Sequence, residues 1–226
     1  MSHKLAWPLL LIAAIFLAGC TLVPSPRATT TPPESPTPTN TPTSPSPAPS
    51  PTPTLSGSAC SPAPLLAPTM APNPGVNGID RTTGLHVTGH PVALDPATYR
   101  LLVNGLVDHP LSFTYNELRC MPKVSARLDL VCPGVFEDAA TWTGVPLNYI
   151  LGLAGVQSTA RIIRLVAADK YESQLYLEDA LKPANFLAYE MNGQPLPILH
   201  GFPLRAVFPG MQGNRWVKWL LEIRVE

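Results

Sequence analysis

The chain has 226 residues, with 15 Lys and Arg against 15 Asp and Glu, so its formal net charge is zero. No run of five or more basic residues occurs in the sequence. This balance excludes nucleic acid as a partner and excludes an electrostatic hold on anionic lipid.

Residues 1–20 have the layout of a secretory signal peptide. Lys4 precedes an apolar run from Leu5 to Leu17, and two small residues follow before Cys20. The run is shorter than the roughly 20 residues of a spanning helix, so a transmembrane anchor is the weaker interpretation. The ending Leu17-Ala18-Gly19-Cys20 resembles the lipobox of bacterial lipoproteins. This resemblance implies that Cys20 is lipidated and anchors the protein to the bacterial membrane on its extracytoplasmic side.

Residues 21–77 are predicted to be a Pro/Thr/Ser-rich disordered linker and lead-in. From Pro24 to Thr54 the sequence holds no apolar residue able to seed a core, so it is expected to stay extended. At about 3.1 Å per residue, such a spacer reaches roughly 100 Å. Residues 55–77 form the irregular lead-in to a single domain at 78–226, a length ordinary for one core.

The first half of this domain is predicted to combine strands with short helices. Alternating apolar residues predict a strand at Tyr99–Val103 and another at Ala126–Cys132. A helix over Tyr115–Arg119 opens on the capping box Thr114-x-x-Glu117. A second helix is predicted at Leu147–Leu153 and ends at Gly155.

The second half is predicted to be richer in strand. Ile162–Ala168 is interpreted as a more fully buried strand, Glu178–Leu181 as a short helix, and Phe186–Met191 as a strand entering the hairpin turn Asn192-Gly193. From Val217 to Val225 apolar residues alternate with Lys218, Glu222 and Arg224, which predicts a half-buried strand. Strands with few short helices predict an α+β fold dominated by sheet.

Three cysteines remain once Cys20 is assigned to lipid, and an exported protein meets an oxidising compartment. An odd number leaves one thiol unpaired. A disulfide between Cys60 and Cys120 would tie the lead-in to the domain and leave Cys132 free. A disulfide between Cys120 and Cys132, or a buried structural thiol, is the alternative.

The position of Cys132 singles it out among these cysteines. It shares one strand face with Ala126, Leu128 and Leu130, and Pro133-Gly134 ends the strand directly after it. Its sulfur is therefore expected at the inner rim of the core, where a loop begins.

Three cations lie among Gly and Pro turns near the C-terminal end. They are Arg205, Arg215 and Lys218, in the segment His200 to Lys218. Arg forks bind phosphate bidentately, and Gly lets backbone N–H groups approach an anion. The cluster therefore suits an anionic ligand such as a phosphate, with surface ion pairs as the plain alternative.

Several motifs follow one another from about His86 onward. They are Tyr99-Arg100-Leu101 with Val103-x-Gly105, Leu128-x-Leu130-x-Cys132, Trp142-Thr143-Gly144-Val145-Pro146-Leu147, Leu187-Ala188-Tyr189-Glu190-Met191-Asn192-Gly193-x-Pro195-Leu196, His200-Gly201-x-Pro203-Leu204-Arg205, Pro209-Gly210 and Val217-Lys218-Trp219-Leu220. In this order they closely resemble the molybdopterin-binding domain of the sulfite oxidase family. The resemblance implies that family's sheet-dominated fold and its molybdenum cofactor, molybdopterin.

The resemblance also implies roles for individual residues. Cys132 falls where the family's thiolate binds molybdenum, and a soft sulfur ligand suits a metal held chiefly by a dithiolene. The family's pterin and phosphate are expected at His200, Arg205, Arg215 and Lys218, with backbone groups of Trp216 and Val217 assisting. Tyr171 falls near the family's active-site tyrosine, whose hydroxyl can exchange a hydrogen bond with a metal-bound oxygen.

Other positions near the implied site have less specific assignments. His90 lies where the family often has the His of an Arg-Asn-His motif, and a surface histidine is the alternative. For Tyr171 the alternative is a tyrosine at the rim of the site that takes no part in the chemistry. Thr88 and Gly89 replace the Arg and Asn of that motif, which argues against sulfite as substrate. Trp142 is interpreted as a core anchor.

Two functional hypotheses follow from the sequence. The first is a membrane-tethered molybdopterin oxidoreductase that acts on a small substrate by oxygen-atom or electron transfer. Its electron partner is expected to be separate, because no heme-binding region precedes the domain and no dimerisation domain follows it. The second is a cofactor-free binding or scaffolding lipoprotein with the same fold, which the lack of a twin-arginine signal around Lys4 favours.

Overall fold

The computed structural model describes residues 60–226, so the predicted signal peptide, Cys20 and the linker through residue 59 lie outside the described residues. The strands in the described range are β1 (Arg100–Gly105), β2 (Leu111–Thr114), β3 (Val124–Cys132), β4 (Phe136–Pro146), β5 (Ile162–Ala167), β6 (Glu172–Tyr176), β7 (Phe186–Met191), β8 (Gln194–Pro195), β9 (Arg205–Val207) and β10 (Leu220–Val225). The α-helices are α1 (Tyr115–Cys120), α2 (Leu147–Ala154) and α3 (Leu177–Ala180), and 3-10 turns occupy Ile198–His200 and Gly213–Arg215. The predicted sheet-dominated α+β fold is confirmed.

The strands form two sheets. The first has the order β2-β1-β10-β5-β6, and β1 runs parallel to β10 with Val103 opposite Ile223. The second has the order β3-β4-β7-β8, and β9 pairs with β7 beside this path. One contiguous hydrophobic core contains buried side chains from both sheets, among them Leu101 and Ile163 from the first and Val145 and Leu187 from the second. The two sheets are therefore joined by a shared core.

Local sequence signals predicted the short helices correctly. At the start of α1 the Thr114 hydroxyl accepts from the Glu117 backbone N–H at 3.1 Å, and Glu117 accepts in return from the Thr114 N–H at 2.7 Å. This confirms the predicted capping box. Helix α2 ends at Gly155, which has a φ of +66° and so adopts the left-handed conformation that glycine tolerates. No helix within residues 60–226 is both long and apolar enough to span a bilayer.

Two predicted strands differ from the observed ones. Strand β5 has no exposed residue, whereas β1 and β6 expose alternate residues, so the prediction of a more fully buried strand is confirmed, although the strand ends at Ala167 and not at Ala168. The C-terminal strand begins only at Leu220, because Trp219 has a φ of +51° and the pairing shifts between Leu220 and Glu222. The alternation predicted from Val217 therefore fails at its start, and Lys218 is buried.

The cysteines follow one of the two pairings that the sequence left open. Cys60 and Cys120 form a disulfide, which ties the lead-in to the end of α1. Arg119 reinforces this contact by donating to the Ala63 carbonyl at 3.0 Å. Among the described cysteines, Cys132 is the free thiol.

Gly144 marks the closest approach of β4 to β7. A Cβ at this position would lie 1.9 Å from the Leu187 carbonyl oxygen, a backbone atom that cannot move aside. We expect Gly144→Ala to lower the free energy of unfolding by more than about 3 kcal/mol, because the strands must separate or distort. Chemical denaturation measures the change.

Gly152 provides the matched control for this substitution. It lies in α2, and a Cβ there would meet no atom within 4 Å. Gly152→Ala is expected to raise the free energy of unfolding by up to about 1 kcal/mol, because alanine loses less backbone entropy in a helix. Equal stabilities of the two variants would contradict the close approach of β4 and β7.

Candidate functional site

A cavity of about 230 Å³ lies where β3 ends and where the segment before β10 crosses it. Its lining consists of Thr88, Gly89, Cys132, Asp169, Tyr171, Gly213, Asn214, Trp216, Lys218 and Trp219. Cys132 is contributed by the second sheet, whereas Asp169 and Tyr171 come from the turn between β5 and β6 of the first. The cavity therefore depends on the packing of both sheets.

Cys132 presents its thiol to this cavity from the last position of β3. The residue is half-buried, and burial raises the pKa of its thiol although Arg205 and Lys218 oppose that effect. Gly213 lies against the sulfur, since a Cβ added there would be 2.7 Å from Sγ. The absence of a side chain at Gly213 thus leaves room for the thiol.

Arg205 is a buried cation without an acidic partner among residues 60–226. It is 3% exposed, and its guanidinium lies 4.7 Å from the ring centre of Trp142 and 5.6 Å from that of Trp216. Its Nη1 donates to the His200 carbonyl at 3.3 Å, and its Nε has no hydrogen-bond partner. Burial lowers its pKa to about 10, so the guanidinium remains charged at neutral pH.

Lys218 is the second buried cation. Its Nζ donates to the Thr88 carbonyl and, at 3.4 Å, to the Leu199 carbonyl, and it lies 4.6 Å from the Trp219 ring centre. Burial, with repulsion from Arg205, lowers the pKa of Lys218 to about 7. A buried guanidinium next to an amine that is about half protonated at pH 7 creates a site that favours an anion, since an anion stabilises the charged form of both groups.

The lowered pKa of Lys218 predicts how stability depends on pH in the cofactor-free protein. The amine titrates near 10.5 in the unfolded chain and at about 7 in the folded one. Between these values the unfolded state binds more protons, so the free energy of unfolding is expected to rise with pH, by up to about 1.4 kcal/mol per unit. Below pH 7 both states carry the charge and this contribution is constant.

Chemical denaturation of the wild type and of Lys218→Met, from about pH 6 to about pH 10, isolates this contribution. The unfolding free energy of the wild type minus that of Lys218→Met should be constant below pH 7 and should rise with pH above 7, where Lys218 loses its proton in the folded state. Identical pH profiles would contradict the buried position of the amine.

His200 lies next to Arg205, and its ring contacts residues near the start of the domain. Its Nε2 is 3.1 Å from an Asp80 carboxylate oxygen and 2.9 Å from the Thr83 hydroxyl. Burial and the neighbouring cations Arg205 and Lys218 lower its pKa to about 4, so the ring is neutral at neutral pH. Asp80 and Thr83 were not predicted as site residues, because they lie more than a hundred positions from their partner.

Tyr171 stands at the rim of the cavity. It is 45% exposed, and its hydroxyl donates to the Asn214 carbonyl at 2.7 Å. It follows Lys170, which has a φ of +69° and lets the tight turn after β5 aim Tyr171 at the cavity. Asp169 accepts from the Tyr171 backbone N–H at 3.1 Å and supplies a carboxylate to the lining.

The structure does not bring every predicted site residue into the cavity. His200 and Arg205 are buried and are not part of its lining. Arg215 is exposed and donates to the Gln174 carbonyl at 2.7 Å, because the 3-10 turn at Gly213–Arg215 directs its side chain away from Arg205. His90 is also exposed and is not part of the lining. Val217 is buried, and its N–H and carbonyl already bond to Arg215 and Ala206.

Several residues of the cavity were not singled out by the sequence. Asp169 and Trp219 lie in it, and the Asp169-Lys170-Tyr171 turn directly after an apolar strand was the signal that could have identified Asp169. Trp142 was interpreted only as a core anchor. It is 1% exposed, as a core residue would be, but its ring also contacts the guanidinium of Arg205.

The groups present fit a metal cofactor that carries negative charge. Arg205 Nε and Trp142 Nε1 are buried without hydrogen-bond partners and lie outside the cavity lining. An anion bound in the cavity next to Lys218 would offset the charge of the unpaired guanidinium, which acts on Lys218. One soft thiol suits a metal whose other ligands come from an organic dithiolene. Within residues 60–226 no group of three or more His, Cys, Asp or Glu side chains is placed to hold a metal ion.

Comparisons with known proteins also indicate a domain that binds a metal cofactor of this kind. The family model of the oxidoreductase molybdopterin binding domain matches residues 87–226. The uncharacterized oxidoreductase YuiH of Bacillus subtilis is 36% identical over 141 residues, which cover 62% of this chain and 71% of that protein. Mitochondrial sulfite oxidase of Rattus norvegicus is 36% identical over 163 residues, covering 59% of this chain and 30% of the enzyme.

Two further relatives are matched over less than half of their length. The putative protein-methionine-sulfoxide reductase subunit YedZ1 of Azospira oryzae is 31% identical over 127 residues, which cover 56% of this chain and 48% of that protein. The crystal structure of the sulfane dehydrogenase SoxCD from Paracoccus pantotrophus has a TM-score of 0.61 and 27% identity, covering 65% of this chain and 43% of that one. The chain belongs to the oxidoreductase molybdopterin binding domain family and has the sheet-dominated fold of its sulfite oxidase members.

Proposed function

We propose that the protein is a membrane-tethered, extracytoplasmic molybdopterin-dependent oxidoreductase. The observation that supports this most strongly is the cavity that the free thiol of Cys132 shares with the buried amine of Lys218, while the charge of the buried Arg205 acts on both. A protein that had no anion to bind would gain nothing from two such cations, because each costs several kcal/mol to bury. Their retention therefore favours a working cofactor site over a scaffold.

Different residues of the chain would hold different parts of the cofactor. Cys132 would bind the metal, while Arg205 and Lys218 would neutralise the phosphate, with neutral His200 and Trp216 beside them. Molybdopterin, when bound, supplies the two-electron redox chemistry and the exchange of one oxygen atom with a substrate.

Tyr171 is the residue best placed to handle a proton. Its hydroxyl lies at the cavity rim and donates to the Asn214 carbonyl in this structure. An incoming substrate could take over that donated hydrogen bond, which would orient the substrate and supply a proton to a developing anionic oxygen. In the reducing direction the substrate's oxygen leaves as water, with uptake of two electrons and two protons.

A neutral oxygen donor is the substrate class that the lining favours. Thr88 and Gly89 bring no cationic side chain, and the carboxylate of Asp169 lies close to Gly89. A doubly charged anion such as sulfite would meet that carboxylate, whereas Arg205 lies outside the lining and the amine of Lys218 lies against the Trp219 ring. The YedZ1 relative carries the name putative protein-methionine-sulfoxide reductase subunit, which agrees with a neutral sulfoxide and with a separate electron carrier.

A dye-linked assay tests this function. Protein from a bacterium that makes the cofactor is supplied with reduced viologen and a panel of neutral sulfoxides and N-oxides, and separately with ferricyanide and sulfite. We expect viologen oxidation with at least one neutral oxide, and we expect ferricyanide reduction by sulfite to be much slower. Rapid sulfite oxidation, or no turnover by molybdenum-loaded protein, would contradict the proposal.

The membrane tether has its own test. The lipobox-like segment before Cys20 supports lipidation, so mass spectrometry of the mature protein from a membrane fraction should show acyl chains on that residue. An unmodified Cys20 would contradict the tether without bearing on the cofactor.

A further inference from the structure

A second, open depression of about 280 Å³ adjoins the cofactor cavity. Tyr171 and Asn214 line both spaces, and the hydrogen bond between them belongs to the shared wall. A molecule seated in this outer depression therefore needs only to pass Tyr171 to reach the space in front of Cys132. The outer depression is the natural place for the part of a substrate that does not react.

The charges in the outer depression are unequally compensated. Arg164 is neutralised, since two of its nitrogens each lie 2.9 Å from the Glu226 carboxylate and a third is 3.6 Å from Glu172. Arg215 forms no ion pair with any residue between 60 and 226, and it donates instead to the Gln174 carbonyl. The depression thus contains one cation that lacks a counterion.

We propose that this outer depression binds a carboxylate of the substrate and that Arg215 is its anchor. The planar guanidinium matches a carboxylate bidentately. The bond to the Gln174 carbonyl fixes the side chain by one of its nitrogens, which leaves further N–H groups for a ligand and reduces the entropy lost on binding.

This inference rests on the proposed function and adds a substrate class to it. The substrate is a small molecule with a carboxylate at one end and a neutral oxygen-donating group at the other. The carboxylate stays in the outer depression, and the reacting group extends past Tyr171 into the cavity. The substrate carboxylate then pairs with the guanidinium of Arg215, away from the carboxylate of Asp169.

The geometry also distinguishes Arg215 from the cofactor-binding cations. Arg205 and Lys218 are 3% and 8% exposed and approach Trp rings of the core, whereas Arg215 is exposed and lines only the outer depression. Loss of its charge should therefore weaken substrate binding and leave the cofactor in place.

Calorimetry with two matched probes tests the subsite. We would titrate 3-(methylsulfinyl)propanoate and its amide, which differ only in the carboxylate, into the full chain, into Arg215→Gln and into Arg127→Gln. Arg127 is exposed on β3, outside both spaces, and serves as the matched control. We expect the acid to bind the wild type and Arg127→Gln about tenfold more tightly than the amide, and we expect Arg215→Gln to lose this preference.

Three results would overturn the subsite. They are no preference for the acid in the wild type, a preference retained by Arg215→Gln, and a lower molybdenum content in Arg215→Gln than in the wild type, which would return Arg215 to the cofactor. Failure of the proposed function is a different result, namely a wild type that contains no molybdenum. The calorimetric preference is measured without turnover and decides the subsite in that case too.

Discussion

Cys132→Ser is expected to abolish oxygen-atom transfer while leaving the fold intact. Loss of a residue that supports a metal ligand lowers metal affinity or activity by about 10- to 100-fold. Loss of the sulfur ligand itself should therefore lower dye-linked turnover by more than about a hundredfold. The fold should survive, because Cys132 is half-buried at a strand end and outside the disulfide. Thermal unfolding of the variant should therefore match that of the wild type.

Alkylation of the thiol gives a second readout that does not depend on turnover. Iodoacetamide should modify Cys132 slowly in cofactor-free protein, because burial raises its thiol pKa, and should not modify it in loaded protein. Val135→Ser, an exposed change three residues along the same turn, is the control and should keep both activity and alkylation pattern. Equal alkylation of Cys132 with and without cofactor would contradict its role as ligand.

Arg205→Met is expected to change cofactor binding and stability in opposite directions. The variant should lose the molybdenum cofactor, because Arg205 is the most deeply buried cation of the site. The cofactor-free form should nevertheless gain unfolding free energy, because the desolvation of a lone buried guanidinium costs several kcal/mol and Met removes that charge. Metal analysis and chemical denaturation measure the two effects.

The gain in stability depends on which contribution of Arg205 is largest. Its contacts with Trp142 and Trp216 are worth about 0.5 to 2 kcal/mol each, and its bond to the His200 carbonyl is long at 3.3 Å. Against these stands the desolvation of a guanidinium whose Nε is unpaired, at several kcal/mol. Arg127→Met, on the surface, should change stability by less than about 0.5 kcal/mol. A cofactor-free Arg205→Met protein less stable than the wild type would contradict an uncompensated charge.

The sequence predicted those features that depend on local patterns. The capping box at Thr114 and the end of α2 at Gly155 are decided by residues within one turn, so they could be identified without the fold. The alternation before Cys132 correctly placed its thiol at the inner end of a strand. A pattern of this kind is set by side chains whose neighbours in space are also neighbours along the chain.

Features that depend on distant contacts were not predictable. Trp219 adopts a positive φ without being glycine, and this break buries Lys218 on what the alternation marked as a polar face. His200 is bonded to Asp80, a partner 120 positions away. The direction of Arg215 depends on a 3-10 turn that has no side-chain cap, so no residue marks this turn in the sequence. Charge clustering along the chain therefore predicted the cations but not which of them share a cavity.

The most direct measurement is the molybdenum and pterin content of the protein recovered from membranes of a cofactor-producing bacterium, with Arg205→Met analysed in parallel. If the buried cations Arg205 and Lys218 exist to neutralise molybdopterin, the wild type will contain molybdenum and pterin in equimolar amounts with the chain, and the variant will contain neither. A wild type without metal, beside a loaded molybdoenzyme from the same cells, would contradict that conclusion.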